Sequence, residues 1–168
     1  MPEAHRLLKR TLIRDVERVL DIEANIVHAG DDLVDVARQA FAGPSTRVIS
    51  VVDDEERLVG ILPVLRVVEE IVARVAPEQL LADISTVEQA GRFAEEVTAR
   101  KAGDLMLDPL FLGLEDTVSD AFAAMHIHHL SGLPVVDAER RVVGYVDVLE
   151  LALRYLEELQ PGPGPSAT

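Results

Sequence analysis

Apolar residues along this chain recur in two rhythms. Between residues 3 and 20 they fall at Leu8, Leu12, Val16, Val19 and Leu20, three or four apart with Arg, Lys and Glu between, the period of an amphipathic helix. A short apolar piece, Asn25-Ile26-Val27, runs into the turn-prone His28-Ala29-Gly30-Asp31. Asp31 or Asp32 can cap a following helix with the stripe Leu33, Val34, Ala37 and Phe41, which Gly43-Pro44-Ser45 stops. The β-branched run Val48-Ile49-Ser50-Val51-Val52 predicts a buried strand. Arg57 to Leu62 is its hairpin partner across the polar turn of Asp53 to Glu56, and Val64 to Val75 returns to helical spacing.

The second half reads the same way. Leu110-Phe111-Leu112 predicts a short strand, and Glu115-Asp116-Thr117 opens a helix with the stripe Val118, Ala121, Phe122 and Met125. Leu133 to Val136 and Arg141 to Val146 flank the turn of Asp137 to Arg140. Val148 to Leu159 closes as a helix, with Val148, Leu149, Ala152, Tyr155, Leu156 and Leu159 facing inward. The parallel is literal: VVDDEERLVGILPVL from Val51 returns 84 residues later as VVDAERRVVGYVDVL from Val135. The same shift pairs Asp32 with Asp116, Val34 with Val118, Ala37 with Ala121 and Ala40 with Ala124. These are two copies of one strand-helix-strand-strand-helix unit. The chain divides into an N-terminal helix over residues 1–24 packing on the first repeat, repeat 1 over 25–75, a helical segment over 76–100, repeat 2 over 101–159 and a tail over 160–168. Pro77 and the capping box Ser85-Thr86-Val87-Glu88 open helices in the segment between repeats; the Pro-Gly-rich tail is expected to be disordered.

Composition narrows the functional classes. With 48% hydrophobic but 4% aromatic residues among 168, the core must be aliphatic. A net charge of −14 opposes nucleic acid and anionic membrane surfaces alike. Neither a signal-peptide pattern nor an apolar run of membrane-spanning length occurs, so a cytoplasmic protein without membrane insertion is expected. Cysteine is absent, and no nucleophile, base and orienter fall together, so no enzyme is expected. His126, His128 and His129 invite a metal reading, but only His126 and His129 could share a helix face. His129 reads better as a partly buried histidine continuing the Val118, Phe122 and Met125 stripe, with no metal.

The motif Gly-Leu-Pro-Val-Val-Asp at 132–137, followed by Val-Gly-Tyr-Val at 143–146 and an acidic helix start, resembles the cystathionine-β-synthase (CBS) domain. Ala102-Gly103-Asp104-Leu105-Met106 resembles the segment that introduces such a repeat, and the likeness covers roughly 10–75 and 100–159. The resemblance implies an α/β (α+β) fold: two β-α-β-β-α repeats packed with pseudo-twofold symmetry, here with extra helices. It implies two clefts of the kind that hold AMP, ADP, ATP or S-adenosylmethionine, a homodimer through the helical faces, and a protein partner whose identity is open. No cofactor is certain; an adenine nucleotide or S-adenosylmethionine is what the family would supply. As the two repeats fill most of the sequence, a stand-alone module is expected.

In such clefts the family pattern runs glycine, two apolar residues, Ser/Thr, two residues, then a ribose-binding Asp. Here repeat 2 places Asp147 at the Ser/Thr position and Glu150 at the Asp position, with Leu110, Leu133 and Pro134 as further cleft residues. Glu150 can still accept ribose hydroxyls, whereas Asp147 would repel phosphate. Repeat 1 places Pro63 and Arg66 there, with Ile26 and Ile49 beside them, and Arg66 cannot accept a hydrogen bond. The competing plain reading makes Asp147 and Pro63 helix-start residues, and Glu150 and Arg66 exposed first-turn side chains. The two function classes are an adenosine-ligand sensor using the second cleft, and a dimerisation or adaptor module with degenerate clefts.

Overall fold

A computed structural model describes residues 9–16, 23–42, 46–75 and 99–159. Repeat 1 consists of β1 (Ile26–His28), α1 (Leu33–Ala42), β2 (Val48–Val52), β3 (Leu58–Pro63) and α2 (Val64–Val75). A short helix, α3 (Ala102–Leu105), precedes repeat 2, which consists of β4 (Leu112–Gly113), α4 (Val118–His128), β5 (Gly132–Val136), β6 (Val142–Asp147) and α5 (Val148–Leu159). The first strand of each repeat pairs parallel to the second across its helix, and the second pairs antiparallel to the third, giving two three-stranded sheets. Repeat 2 opens with the two-residue strand Leu112–Gly113, rather than at Leu110-Phe111-Leu112. The expected N-terminal helix is present at Lys9 and Arg10 but does not continue through 11–16, where Leu12 makes a β-bridge and Ile13–Asp15 is a 3-10 turn; residues 1–8 and 17–22, the segment 76–98 and the tail lie outside the described residues.

The hairpins are built by their aspartates. Asp53 Oδ1 accepts from the Glu55 and Arg57 amides at 3.0 and 2.9 Å, and Asp137 Oδ1 from Glu139 and Arg141 at 3.0 and 2.8 Å. These bonds hold the Asp53 carboxyl below the ordinary carboxylate range. Glu56 and Arg140, 84 residues apart, both take the left-handed conformation that closes the turn. Each sheet also shifts register at the same place, between Val51 and Val52 and between Val135 and Val136.

Ahead of the hairpins the repeat runs one residue out of step with the sequence ladder. Leu33 and Val118 begin α1 and α4, His28 pairs Val52 where Gly113 pairs Val136, and Asp31 Oδ2 accepts from His28 N just as Asp116 Oδ2 accepts from Gly113 N. All are offset by 85, not 84. The extra residue is absorbed between helix and second strand, where five residues follow Ala42 and three follow His128, α4 itself being one residue longer than α1. The upstream matches Asp32/Asp116, Val34/Val118, Ala37/Ala121 and Ala40/Ala124 therefore do not occupy equivalent places.

The lead-in segments cross over. Ile13 is fully buried in the core of repeat 2, its amide donating to Asp116 O, while Val118 N donates to Thr11 O. Ala102 and Leu105 lie in the core of repeat 1, with Ala102 N donating to Asp31 O and Leu33 N to Arg100 O. Thus residues 11–16 pack on the second repeat, correcting for them the expectation that the N-terminal segment covers the first, while Ala24 lies against the cluster between the sheets. The mirror image of 11–16, α3, precedes repeat 2 but completes repeat 1. Burial of about 25 cal/mol per Å² of apolar surface makes each exchange a cohesive link between the repeats.

Both sheets turn one face to their own helices and the other toward each other. Ile49, Val51 and Leu62 join the helix-side core of repeat 1, as Leu133, Val135 and Val146 do in repeat 2. On the opposite face Val48, Ile61 and Tyr145 form a third cluster between the sheets, flanked by Ala24, Leu110 and Leu130. Two helix faces depart from expectation. Phe41 and Val34 are exposed while Val36 and Ala40 fill the core, and on α5 Leu151 is buried while Leu149 and Leu156 stand outward. The side chains of Tyr155 and Leu159 lie outside the described residues.

Candidate functional site

The strand-to-helix junction at the end of each hairpin gathers the candidate residues. In repeat 2, β6 ends at Asp147, buried to 9% exposure, whose Oδ1 accepts from Leu149 N at 2.7 Å and caps α5. Glu150 follows in the first helical turn, half-buried. Asp147 therefore performs the capping role, which does not consume its second oxygen. Two residues before it on β6, Tyr145 is fully buried between the sheets; burial first, and then the Asp147 charge, push its hydroxyl up to about 12 against the lowering effect of the bond from Arg47 N.

Repeat 1 builds the same junction from different chemistry. Val64 N donates to Arg47 O as Val148 N donates to Ser131 O, so the two helices start alike. Pro63 ends β3, however, and Arg66 reaches back with Nε to Leu105 O at 3.1 Å, tying α2 to the crossed-over α3. Beyond α3, Leu107 pairs with Ile61 in both directions along the outer edge of β3. Met106 lies over Gly60, where a Cβ would stand 2.8 Å from Leu107 O. Arg66 is thus a structural tie as well as a cation, and only half-buried rather than exposed.

Of the remaining candidates, Pro134 is buried on β5 opposite Tyr145, on the strand whose neighbour Leu133 points the other way. Leu110 is partly buried and bridges the repeat 2 core and the cluster between the sheets. Ile26 pairs with Ser50 on β2 and is half-buried. Ile49 and Leu133 do not join them. Both are fully sealed in the helix-side cores, because side chains alternate along a strand and theirs point away from the opposing sheet. The residues that do point toward it are their neighbours Ser50 and Pro134. Ser50 was missed by the pattern: it is 1% exposed, and its hydroxyl has no hydrogen-bond partner among the described residues. A lone serine in an otherwise β-branched strand was the available signal.

The histidines sit apart from these junctions. Helix α4 ends at His128, and His129 caps it in the left-handed conformation, exposed rather than buried, which breaks the expected stripe. His126 and His129 instead border an open cleft of about 340 Å³ between α4 and the start of α5, with Phe122, Met125, Leu130 and Val148. Among the described residues no three His, Asp or Glu side chains converge into a metal-holding group, and no helix is long and apolar enough to cross a membrane.

Comparison with known proteins places these repeats. Residues 102–157 match the family model of the CBS domain. No curated protein matches the sequence. Among solved structures, a CBS domain-containing protein from Thermotoga maritima superposes with a TM-score of 0.67 at 20% identity, over 86% of this chain and 94% of that one. The CBS domain pair of protein MJ0100, in complex with 5′-methylthioadenosine and S-adenosylmethionine, gives 0.62 at 20% identity over 89% and 98%. CBSX2 in complex with AMP gives 0.61 at 18% identity over 84% and 98%. The chain has the fold of a CBS-domain pair, with both repeats present.

Proposed function

We propose, with the CBS-pair fold as premise, that this chain is a non-catalytic regulatory module. In this reading it binds an adenosine-containing ligand at repeat 2 and relays its occupancy to a protein partner as a homodimer. The observation that carries this reading is the unequal pair of helix starts: Asp147 and Glu150 in repeat 2 stand where repeat 1 has Pro63 and Arg66. A carboxylate at Glu150 can accept from both ribose hydroxyls, and Leu110 and Pro134 offer apolar flanks for a purine. The charge of Asp147 opposes phosphate, so the cleft favours a nucleoside carrying a neutral or cationic group over ATP. Similar folds in complex with 5′-methylthioadenosine, S-adenosylmethionine and AMP support that ligand class.

One observation favours the scaffold alternative for repeat 1: Arg66 is engaged with Leu105 O and offers no ribose acceptor. Thermal-shift titration of the whole chain against AMP, ADP, ATP, 5′-methylthioadenosine, S-adenosylmethionine and NAD separates the readings. A rise in Tm with the weakly phosphorylated ligands, lost in Glu150→Ala, is expected. A flat response to the whole panel would leave only the scaffold.

A further inference from the structure

Asp147 carries a charge that its surroundings do not balance. It closes β6 on the same side of the strand as Tyr145, and so faces the layer between the sheets. Nine-tenths of the residue is buried, and Oδ1 is taken by Leu149 N at 2.7 Å. Its Oδ2 accepts no hydrogen bond, and no ion pair reaches it, among the described residues. Arg47, whose amide bonds Tyr145, is exposed and makes no ion pair with Asp147. The layer that Asp147 faces holds Val48, Ile61 and Tyr145, with Leu110 and Leu130 beside them. Water screens a charge poorly there, and the raised Tyr145 hydroxyl, which burial and then the Asp147 charge push up, registers it.

We propose that this charge selects the ligand: repeat 2 takes a nucleoside whose 5′ substituent is a cation, a sulfonium or an ammonium, and Asp147 Oδ2 is the group that recognises it. The proposal rests on the adenosine reading above and narrows it from weakly phosphorylated nucleosides to positively charged ones. Asp147 caps α5 and Glu150 lies at its third position, the spacing at which side chains reach one another at a helix start. A ribose held at Glu150 therefore brings its 5′ group toward Asp147. A neutral group there leaves the carboxylate buried without a counter-charge, and a phosphate adds a second anion. A sulfonium has no N–H to place and needs only a nearby negative charge. Capping alone does not call for the charge, because asparagine caps a helix as well as aspartate does. Repeat 1, with Pro63 and the Arg66 cation at the equivalent junction, turns such a ligand away.

S-adenosylmethionine and S-adenosylhomocysteine differ by one methyl group and one positive charge at sulfur, so calorimetric titration of the whole chain with each isolates the charge. S-adenosylmethionine is expected to bind tighter by about tenfold, as for unit charges in a partly buried site. In Asp147→Asn the cap stays, so Tm should hold within about 2 °C. The ratio of the two affinities should fall there to about two or less. Equal binding by the unmodified chain, or tighter binding of S-adenosylhomocysteine, overturns charge selection and keeps the adenosine site; that comparison needs no variant. A preference that survives in folded Asp147→Asn removes Asp147 as its cause and overturns the proposal as well. A chain that binds neither ligand, nor 5′-methylthioadenosine, nor AMP, overturns the adenosine reading and the charge selection with it.

Discussion

Gly132→Ala tests how the two repeats meet. Gly132 begins β5 beneath the Tyr145 ring, and a Cβ there would press into the Tyr145 hydroxyl and stand 2.8 Å from Val146 O. Neither can withdraw freely. Tyr145 is fully buried, its hydroxyl accepts from Arg47 N at 3.2 Å across the repeats, and Val146 O is strand backbone. The backbone at Gly132 does not require glycine, since its φ is not positive. Alanine should therefore gain about 0.4–1 kcal/mol from a less flexible unfolded chain. Overpacking outweighs that gain, at about 1–3 kcal/mol. Because neither neighbour can withdraw, the upper part of that range applies, about 2–3 kcal/mol, and the net loss is about 1–2.6 kcal/mol, or roughly 2–10 °C in Tm for a chain of this size. Repeat 1 solves the same position with Val48 against Ile61, so Tyr145→Ile should make room for the added methyl. In a urea-unfolding double-mutant cycle the pair Gly132→Ala and Tyr145→Ile should couple favourably by about 1 kcal/mol or more. If Gly132→Ala lies within about 0.5 kcal/mol of wild type, or the two changes simply add, the packing argument is wrong.

Two further outcomes follow from other pairs. His28 Nε2 lies 2.9 Å from Glu56 Oε1, and that hydrogen bond raises its pKa above the ordinary 6.5. The pair's small stabilisation is fully present below pH 6.5 and is lost as pH rises through the elevated folded value. NMR titration should find His28 above 6.5 in the wild type and nearer to it in Glu56→Gln; an unchanged value would remove Glu56 as the cause. Arg74 joins the buried Glu70 at 2.9 Å and donates to Ala99 O, fastening α2 to the lead-in of repeat 2. Arg74→Met removes the Arg74 cation from the buried carboxylate and its bond to Ala99 O, and should cost about 1–3 kcal/mol by chemical denaturation, where no measurable loss would mean the link is dispensable.

The sequence ladder carried the hairpins because their chemistry is local. Asp53 and Asp137 each bond two amides within four residues, so identity in the string becomes identity in the turn. Helix boundaries were legible for the same reason, through the apolar runs after Pro63 and Asp147. The offset of 85 ahead of the hairpins was not legible, because identical residues at 84 matched better than the buried positions that set equivalence, Leu33 with Val118 and Ala40 with Met125. Nor was the crossover of the lead-in segments, since Ile13 and Ala102 look equally apolar whichever repeat they fill. At the candidate site Asp147, Glu150, Pro63 and Arg66 came from an aligned motif and fall at equivalent junctions. That Ile49 and Leu133 face their own helices was not legible, because composition does not say which face of a buried strand meets the other sheet.

The most direct measurement is calorimetric titration of the whole chain with 5′-methylthioadenosine or S-adenosylmethionine, with stoichiometry as the readout. A single site per chain is predicted, retained in Arg66→Ala and lost in Glu150→Ala. Binding that survives Glu150→Ala but disappears in Arg66→Ala would place the ligand in the wrong repeat and contradict the account.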